Sequence, residues 1–323
     1  MLKVANGLIA IVGGVGGVML LFYILNMVVE RLPGEWEGRL KPYVFIGPAI
    51  FVVVVFLIYP SIRTAIDSFF ADDAFVGFGN YVALAQDPSV RGTLVNNLVW
   101  ILFVPTFSVG FGLAIAVLAD RLRPRWEKVS KSVIFLPMAI SFVGASTIWK
   151  FVYEVRPPGR PQIGLLNGII TAIGFDPVSW LTTTAFNLND IMLTVIVIWL
   201  QAGFAMVLLS AAIKGVPEET IEAARIDGAT EVQIFWRVTI PQIRTTIAVV
   251  TTTIVILVLK VFDVVYVMTN GNFETEVIAN RFIKEAFTFR QFGRAAAIVM
   301  VLMVVVIPVM ISNIRRFRAE EAR

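Results

Sequence analysis

The chain has 323 residues, 58% of them hydrophobic and 15% charged, with a formal net charge of +4 and a mean hydropathy of +0.82. Soluble domains carry about 25% charged residues, so this balance does not fit a water-soluble core. The sequence contains neither Cys nor His, which removes disulfides, thiolate nucleophiles, imidazole bases and the usual zinc ligands. The dispersed positive charge is no nucleic-acid footprint, so no nucleic-acid partner is expected.

About seven runs are apolar and long enough to span a bilayer: 4–29, 43–61 (helical as far as Phe70 on a longer reading), 94–119, 132–153, 191–213, 245–268 and 295–314. At ~1.5 Å per residue each covers a hydrocarbon core of ~30 Å with some tilt. The expected fold is therefore all-α, a polytopic transmembrane helix bundle surrounded by membrane lipids. The first run exceeds the ~7–15 apolar residues of a signal peptide and lacks a clear cleavage site, so it reads as a retained span. Its GGVGG at 13–17 suits close helix contact in a membrane.

Lys and Arg set the orientation. With 214–244 placed in the cytoplasm, the inner segments 30–42, 120–131, 214–244 and 315–323, the last ending in Arg323, carry about twice as many basic residues as the outer ones. This predicts N-terminus out and C-terminus in. Arg281, Lys284, Arg290 and Arg294 crowd the supposed outer side and are the weak point. The longest outer connection, 155–190, begins with Pro157, Pro158 and Pro161, which forbid helix there. Its apolar stretch 163–175 reads as a short interfacial helix, and Trp180 suits the headgroup level. A structured cap and a landing surface for an outside partner are both open for this segment. The chain has no G-x-x-x-x-G-K-[ST] loop, so it binds no nucleotide by that route.

Residues 222–241, EAARIDGATEVQIFWRVTIP, are the one sharp pattern on the water side. Pro217 is tolerated in the first turn of a helix. Glu218, Glu219 and Glu222 follow, where the macrodipole favours negative charge. Ala223 and Ala224 leave the backbone open to close approach. Asp227-Gly228 supplies a turn, with Ala229 after it. Thr230 is an N-cap for a second helix, EVQIFWRV, whose Ile234, Phe235, Trp236 and Val238 give a large apolar surface. Ile240-Pro241 is expected to close the unit before the next span. The prediction is a cytoplasmic helix–turn–helix that a partner grips.

The pattern Glu222-Ala223-Ala224, Asp227-Gly228-Ala229, Phe235 and Ile240-Pro241 resembles the EAA loop of ABC-importer membrane subunits. YVFIGPAIFVVVVFLIYPSIRTAIDSF, SVIFLPMAISFVGASTIWKFVYE and VFDVVYVMTNGN are similar to carbohydrate permeases of the maltose-type group, and most so to its α-glucoside branch. The resemblance implies an extra transmembrane helix and linker over 1–41 and a six-span permease core over 42–323 with the EAA loop at 214–243. It implies import of di- or oligosaccharides, α-glucosides of the maltose, trehalose or sucrose kind, by ATP-driven alternating access. The implied partners are a second homologous permease, two ATPase subunits forming a homodimer, and an extracytoplasmic sugar-binding protein, in a bacterial cytoplasmic membrane. The chain itself is then no enzyme and binds no cofactor; ATP and Mg sit on the ATPase partners. Glu222 is implied to face a basic residue of the ATPase, and Gly228 to be the turn glycine.

The family's sugar contacts on the span after the EAA loop correspond here to Leu257, Val258 and Val261, which are not the Asn and aromatic residues expected. Gln201 and Phe204 on the preceding span match better as lining. Lys260 and Asp263, three apart on what reads as one helix, fall within reach of each other. They are either a structural ion pair or a lining of the pathway. Trp149 and Trp199 read as interface anchors, and Glu154 and Asp190 as solvated residues flanking spans. The alternative function is a secondary, ion-coupled transporter.

Overall fold

The structure, a computed structural model, describes residues 2–31, 36–157 and 159–321; Pro158 and Arg323 lie outside them. The chain packs as two compact units, one reaching Ile66 and one beginning at Asp67. Among the described residues six helices are long and apolar enough to cross a membrane, or seven with a bent pair counted as one span.

The first unit holds α1 (Leu2–Glu30), α2 (Trp36–Val53) and α3 (Tyr59–Asp67, whose last residue opens the second unit). Phe22 stacks on Phe45 with ring centroids 6.0 Å apart. A widened π turn, Val54–Ile58, joins α2 to α3 without a break. Pro60 explains it. Its ring would strike the Phe56 carbonyl in a regular helix, and the widened turn, in which Tyr59 N–H bonds Val54 O, makes room. The apolar helix therefore runs from Trp36 to Asp67, beginning earlier than the expected 43.

The second unit opens with a short hairpin, β1 (Phe70–Ala71) and β2 (Ala74–Phe75), paired Phe70 to Phe75. Next come α4 (Gly79–Gln86) and the 33-residue α5 (Pro88–Asp120). Asp87 caps α5 by accepting Ser89 N–H at 2.9 Å, with Pro88 in the first turn. Helices α6 (Pro124–Phe135) and α7 (Phe142–Val152) follow, bent 103° apart. The expected straight span 132–153 is thus corrected. Pro137 ends regular helix in a 3-10 turn, and Ser141 Oγ caps a new helix at Gly144 N–H.

The outer connection carries α8 (Leu165–Ala172). Buried Asn167 ties it down, donating to Glu154 O and Val178 O at 3.0 Å each and accepting Val178 N–H at 2.9 Å. Trp180 packs half-buried on the main core, so this segment is structured.

α9 (Leu188–Lys214) is the buried centre of the bundle. Gly112 of α5 and Gly203 of α9 permit backbone contact. A Cβ on Gly112 would sit 2.6 Å from Ala205 Cβ, and one on Gly203 2.5 Å from Ile134 O. Small residues let helices approach where lipid offers no hydrophobic drive for association. Leu193, Ile196, Val197, Met206 and Leu209 of α9 meet Trp100 and Val104 of α5 in the main core.

After α10 (Glu218–Ile226) and α11 (Glu231–Ile234) comes α12 (Ile240–Leu259). Val250, Ile254 and Val258 of α12 complete that core. The expected span 245–268 is broken at Lys260, and α13 (Asp263–Met268) starts afresh. On a straight helix Lys260 would share a face with Val264, yet Val264 is buried and Lys260 exposed. The break resolves that conflict. α14 (Ile278–Ile283) and α15 (Phe292–Glu321) finish the chain.

Candidate functional site

Helix α10 ends in a Schellman turn. Ala229 N–H bonds Ala224 O and Gly228 N–H bonds Arg225 O, each at 3.0 Å, with Gly228 at φ +81°. Thr230 then forms a capping box with Gln233, whose Oε1 accepts Thr230 N–H at 2.8 Å. Arg225 bridges the turn to Glu231, Nε to Oε1 at 2.9 Å and Nη2 to Oε2 at 3.4 Å. Hydrogen bonding to Glu231 raises the Arg225 pKa further, so the guanidinium stays charged.

The second helix does not stop at Pro241. A π turn, Phe235–Thr239, in which Ile240 N–H bonds Phe235 O, carries α11 directly into α12. The expectation that Ile240-Pro241 closes the unit is corrected for the reason given at Pro60: the widened turn clears the Arg237 carbonyl from the proline ring. One apolar helix therefore spans Glu231–Leu259.

Glu222, Ala223, Asp227, Gly228 and Pro241 are exposed, and Ala224, Ala229 and Phe235 half-buried. Ile226, Val232 and Trp236 are 86%, 67% and 61% exposed, a large apolar display on a water-facing segment. Phe235 and Trp236 meet edge to face at 5.2 Å. Together with Asp120, Lys214, Arg225 and Glu231 they line a cleft of about 670 Å³.

A charge network holds the base of this cleft and has no counterpart in the sequence reading. Lys131 Nζ lies 2.6 Å from both Asp120 Oδ1 and Glu127 Oε1. Ser210 Oγ donates to Asp120 Oδ1 at 3.0 Å, and Lys214 bonds Glu127. Helices α5, α6 and α9 are thereby clamped together. Only the Glu127/Lys131 spacing of four was visible in advance.

The pathway candidates do not share one open cavity. Val258, Val261 and Gln201 are 0%, 6% and 7% exposed, and Phe204 and Leu257 pack half-buried on the same core. Gln201 makes no side-chain hydrogen bond among the described residues. Lys260 is exposed and Asp263 half-buried. No ion pair joins them among the described residues, because the helix breaks between them. Trp149 and Trp199 meet edge to face, with centroids 5.8 Å apart. Asp190 is buried and accepts Trp100 Nε1–H at 2.8 Å, which corrects the expectation of a solvated carboxylate.

At the opposite end of the bundle most of the crowded basic residues are paired. Arg281 Nη2 and Arg294 Nη2 reach Asp87 Oδ2 at 3.0 and 3.1 Å, and Lys284 reaches Glu276 at 2.6 Å. Fully buried Glu285 lies 2.7 Å from Arg281. Burial pushes the Asp87 carboxyl up, but Ser89 N–H, Arg281 and Arg294 outweigh it and hold it below the usual range.

Residues 90–317 match the family described as binding-protein-dependent transport system inner membrane component. The chain belongs to that family. It is 54% identical over 279 residues to the osmoprotective compounds uptake permease protein GgtC of Synechocystis sp., covering 86% of this chain and 99% of that one. It is 49% identical over 286 residues to the α-glucoside transport system permease protein AglF of Rhizobium meliloti, covering 88% and 84%. Its fold matches a chain in the crystal structure of a bacterial ABC transporter involved in the import of alginate, with TM-score 0.76, 24% identity, and 88% and 99% coverage. This binding-protein-dependent permease is thus a multi-pass membrane subunit and not itself an enzyme. Its exposed helix–turn–helix lies inside the family match.

Proposed function

We propose that this chain is one of two homologous permeases of a bacterial ABC importer for α-glucosides. Two ATPase subunits, a homodimer, grip the 222–241 segment and hold ATP and Mg, and an extracytoplasmic binding protein delivers sugar at the other end. The observation that carries the substrate class is the 49% identity to an α-glucoside permease across 88% of the chain. The higher identity to an osmoprotective compounds permease favours a refinement. A small neutral α-glucoside that also acts as a compatible solute, of the trehalose or sucrose kind, satisfies both relatives.

The segment's geometry supports the coupling role. A partner seated on Ile226, Val232 and Trp236 would meet Glu222 on the exposed side of α10, where a basic residue finds its complement. Closure of the ATPases moves the segment, and the bundle alternates between outward and inward access. Gln201, Phe204, Leu257, Val258, Lys260, Val261 and Asp263 remain the pathway candidates. Gln201, nine-tenths buried with no side-chain hydrogen bond among the described residues, is the first to test for sugar. The organisation proposed is an extra helix and linker over 1–41 before a six-span core over 42–323, in the cytoplasmic membrane.

The test is reconstitution in liposomes with both permeases, the ATPases and the binding protein. Labelled trehalose, sucrose and maltose are offered with ATP inside. Uptake of at least one, with sugar-stimulated ATP hydrolysis, is expected. Uptake that follows an ion gradient and ignores ATP would favour a secondary transporter.

A further inference from the structure

At the end of the bundle remote from Gly228, helices α4, α5, α14 and α15 enclose a cleft of about 330 Å³, within the ~300–1,000 Å³ range of small-ligand sites. Its walls are almost wholly apolar, with Leu84, Leu94, Ile298 and Val301 among them. Such walls offer a sugar hydroxyl little to bond away from the mouth and suit a hydrocarbon chain. Leu94 and Ile298 sit within the first two turns of the membrane spans Pro88–Asp120 and Phe292–Ser312, and Val301 lies near the middle of the second, so the cleft reaches from the span ends into the hydrocarbon layer.

Two guanidinium groups border it, Arg91 and Arg281. They differ in state. Arg281 is committed on all sides, its Nε to Glu285 at 2.9 Å, Nη1 to Ser89 Oγ at 2.6 Å and Nη2 to Asp87 at 3.0 Å. Arg91 is exposed and anchored by Nε alone, which donates to Ala85 O at 3.0 Å. Its two terminal nitrogens donate to nothing among the described residues. Around the mouth Arg281 and Arg294 are matched by Asp87 and Glu285, so the charge of Arg91 is uncompensated.

We propose that this cleft seats an acyl chain of an anionic membrane phospholipid, with the headgroup phosphate on the terminal nitrogens of Arg91. A fork of N–H donors fits phosphate oxygens, and the apolar walls supply the second determinant that a free anion lacks. This does not depend on which sugar is carried.

The experiment is native mass spectrometry of the full-length permease, purified with its partner subunits, delipidated, and incubated with dioleoyl phosphatidylglycerol or dioleoyl phosphatidylcholine. One phosphatidylglycerol per permease is expected to survive, with phosphatidylcholine retained several-fold less. Arg91→Gln should weaken phosphatidylglycerol retention about five-fold, as expected for one basic residue at an anionic lipid. Leu94→Trp, at a half-open position, should abolish it by filling the cleft. Equal retention of the two lipids by the unmodified protein overturns the proposal without recourse to any variant. So does unchanged retention in both variants, or competition by inorganic phosphate equal to that of whole lipid. A photocrosslinker at Val301 should yield a lipid adduct; a protein adduct would assign the cleft to a partner helix and overturn the lipid.

Discussion

Arg225 and Glu231 grip each other across the Gly228 turn, with Nε 2.9 Å from Oε1. Both are more than half exposed, so the pair contributes little. The Gly228 backbone matters more. At φ +81° a side chain costs roughly 1–2 kcal/mol, more if β-branched. Gly228→Val is therefore predicted to reduce ATPase co-purification about ten-fold, and Arg225→Ala less than five-fold. Membrane insertion should be normal in both. The reverse ranking would remove the turn as the determinant.

Glu222 is exposed on α10 and makes no ion pair within the chain among the described residues. Reversing its charge should leave the fold untouched. Glu222→Lys is predicted to keep wild-type thermal stability within ~0.5 kcal/mol while lowering sugar-stimulated ATP hydrolysis at least several-fold. Wild-type hydrolysis and transport in this variant would exclude Glu222 from the contact.

Lys131 serves Asp120, Glu127 and Ser210 at once. Lys131→Met removes the ammonium that Asp120 and Glu127 share and leaves them Ser210 Oγ and the half-exposed Lys214. A lower melting temperature in detergent is expected. A double-mutant cycle with Glu127→Gln should return a coupling of ~1 kcal/mol or more; additivity would show that the clamp is ornamental.

Gly203 lies where α9 touches α6, and an added Cβ would come 2.5 Å from Ile134 O. Backbone cannot yield as a flexible side chain does. Gly203→Ala is predicted to cost ~1–3 kcal/mol, read as a lower melting temperature in detergent. Gly110→Ala, where nothing lies within 4 Å, is the control and should be neutral.

Asp87 holds Arg281 and Arg294 and has a lowered pKa. Its contribution is complete above about pH 4 and fades as the pH falls through its folded value. Asn at this position keeps the helix cap but not the charge. Asp87→Asn should cost ~1–3 kcal/mol at neutral pH, with the gap to wild type closing as the pH falls below the ordinary carboxylate range. A gap that is constant across this range would mean that the charge contributes nothing.

Spans were legible because twenty-odd apolar residues can do little but cross a bilayer. The Schellman turn was legible because Asp227-Gly228-Ala229-Thr230 carries both a glycine for positive φ and a capping hydroxyl. What local pattern misjudged were the breaks. Pro137 ends a helix, but Pro60 and Pro241 are passed through on a widened turn, and Pro105 lies inside a continuous α-helix. Lys260 breaks its helix because the face it would occupy is needed by Val264, a fact of packing. Asp190 is buried because Trp100, ninety residues away along the chain, supplies its donor. The Asp87–Arg281–Arg294 lattice left one trace, an excess of basic residues where few were expected.

The unbroken course from Glu231 to Leu259 has a mechanical corollary. At ~1.5 Å per residue it is a stiff rod of roughly 40 Å with its foot among the exposed aromatics. Its head is the point where Lys260 snaps the backbone into a new direction. A small rotation at the foot is not absorbed by a flexible linker. A rod of this kind would pass it on to Val258 and the joint beyond.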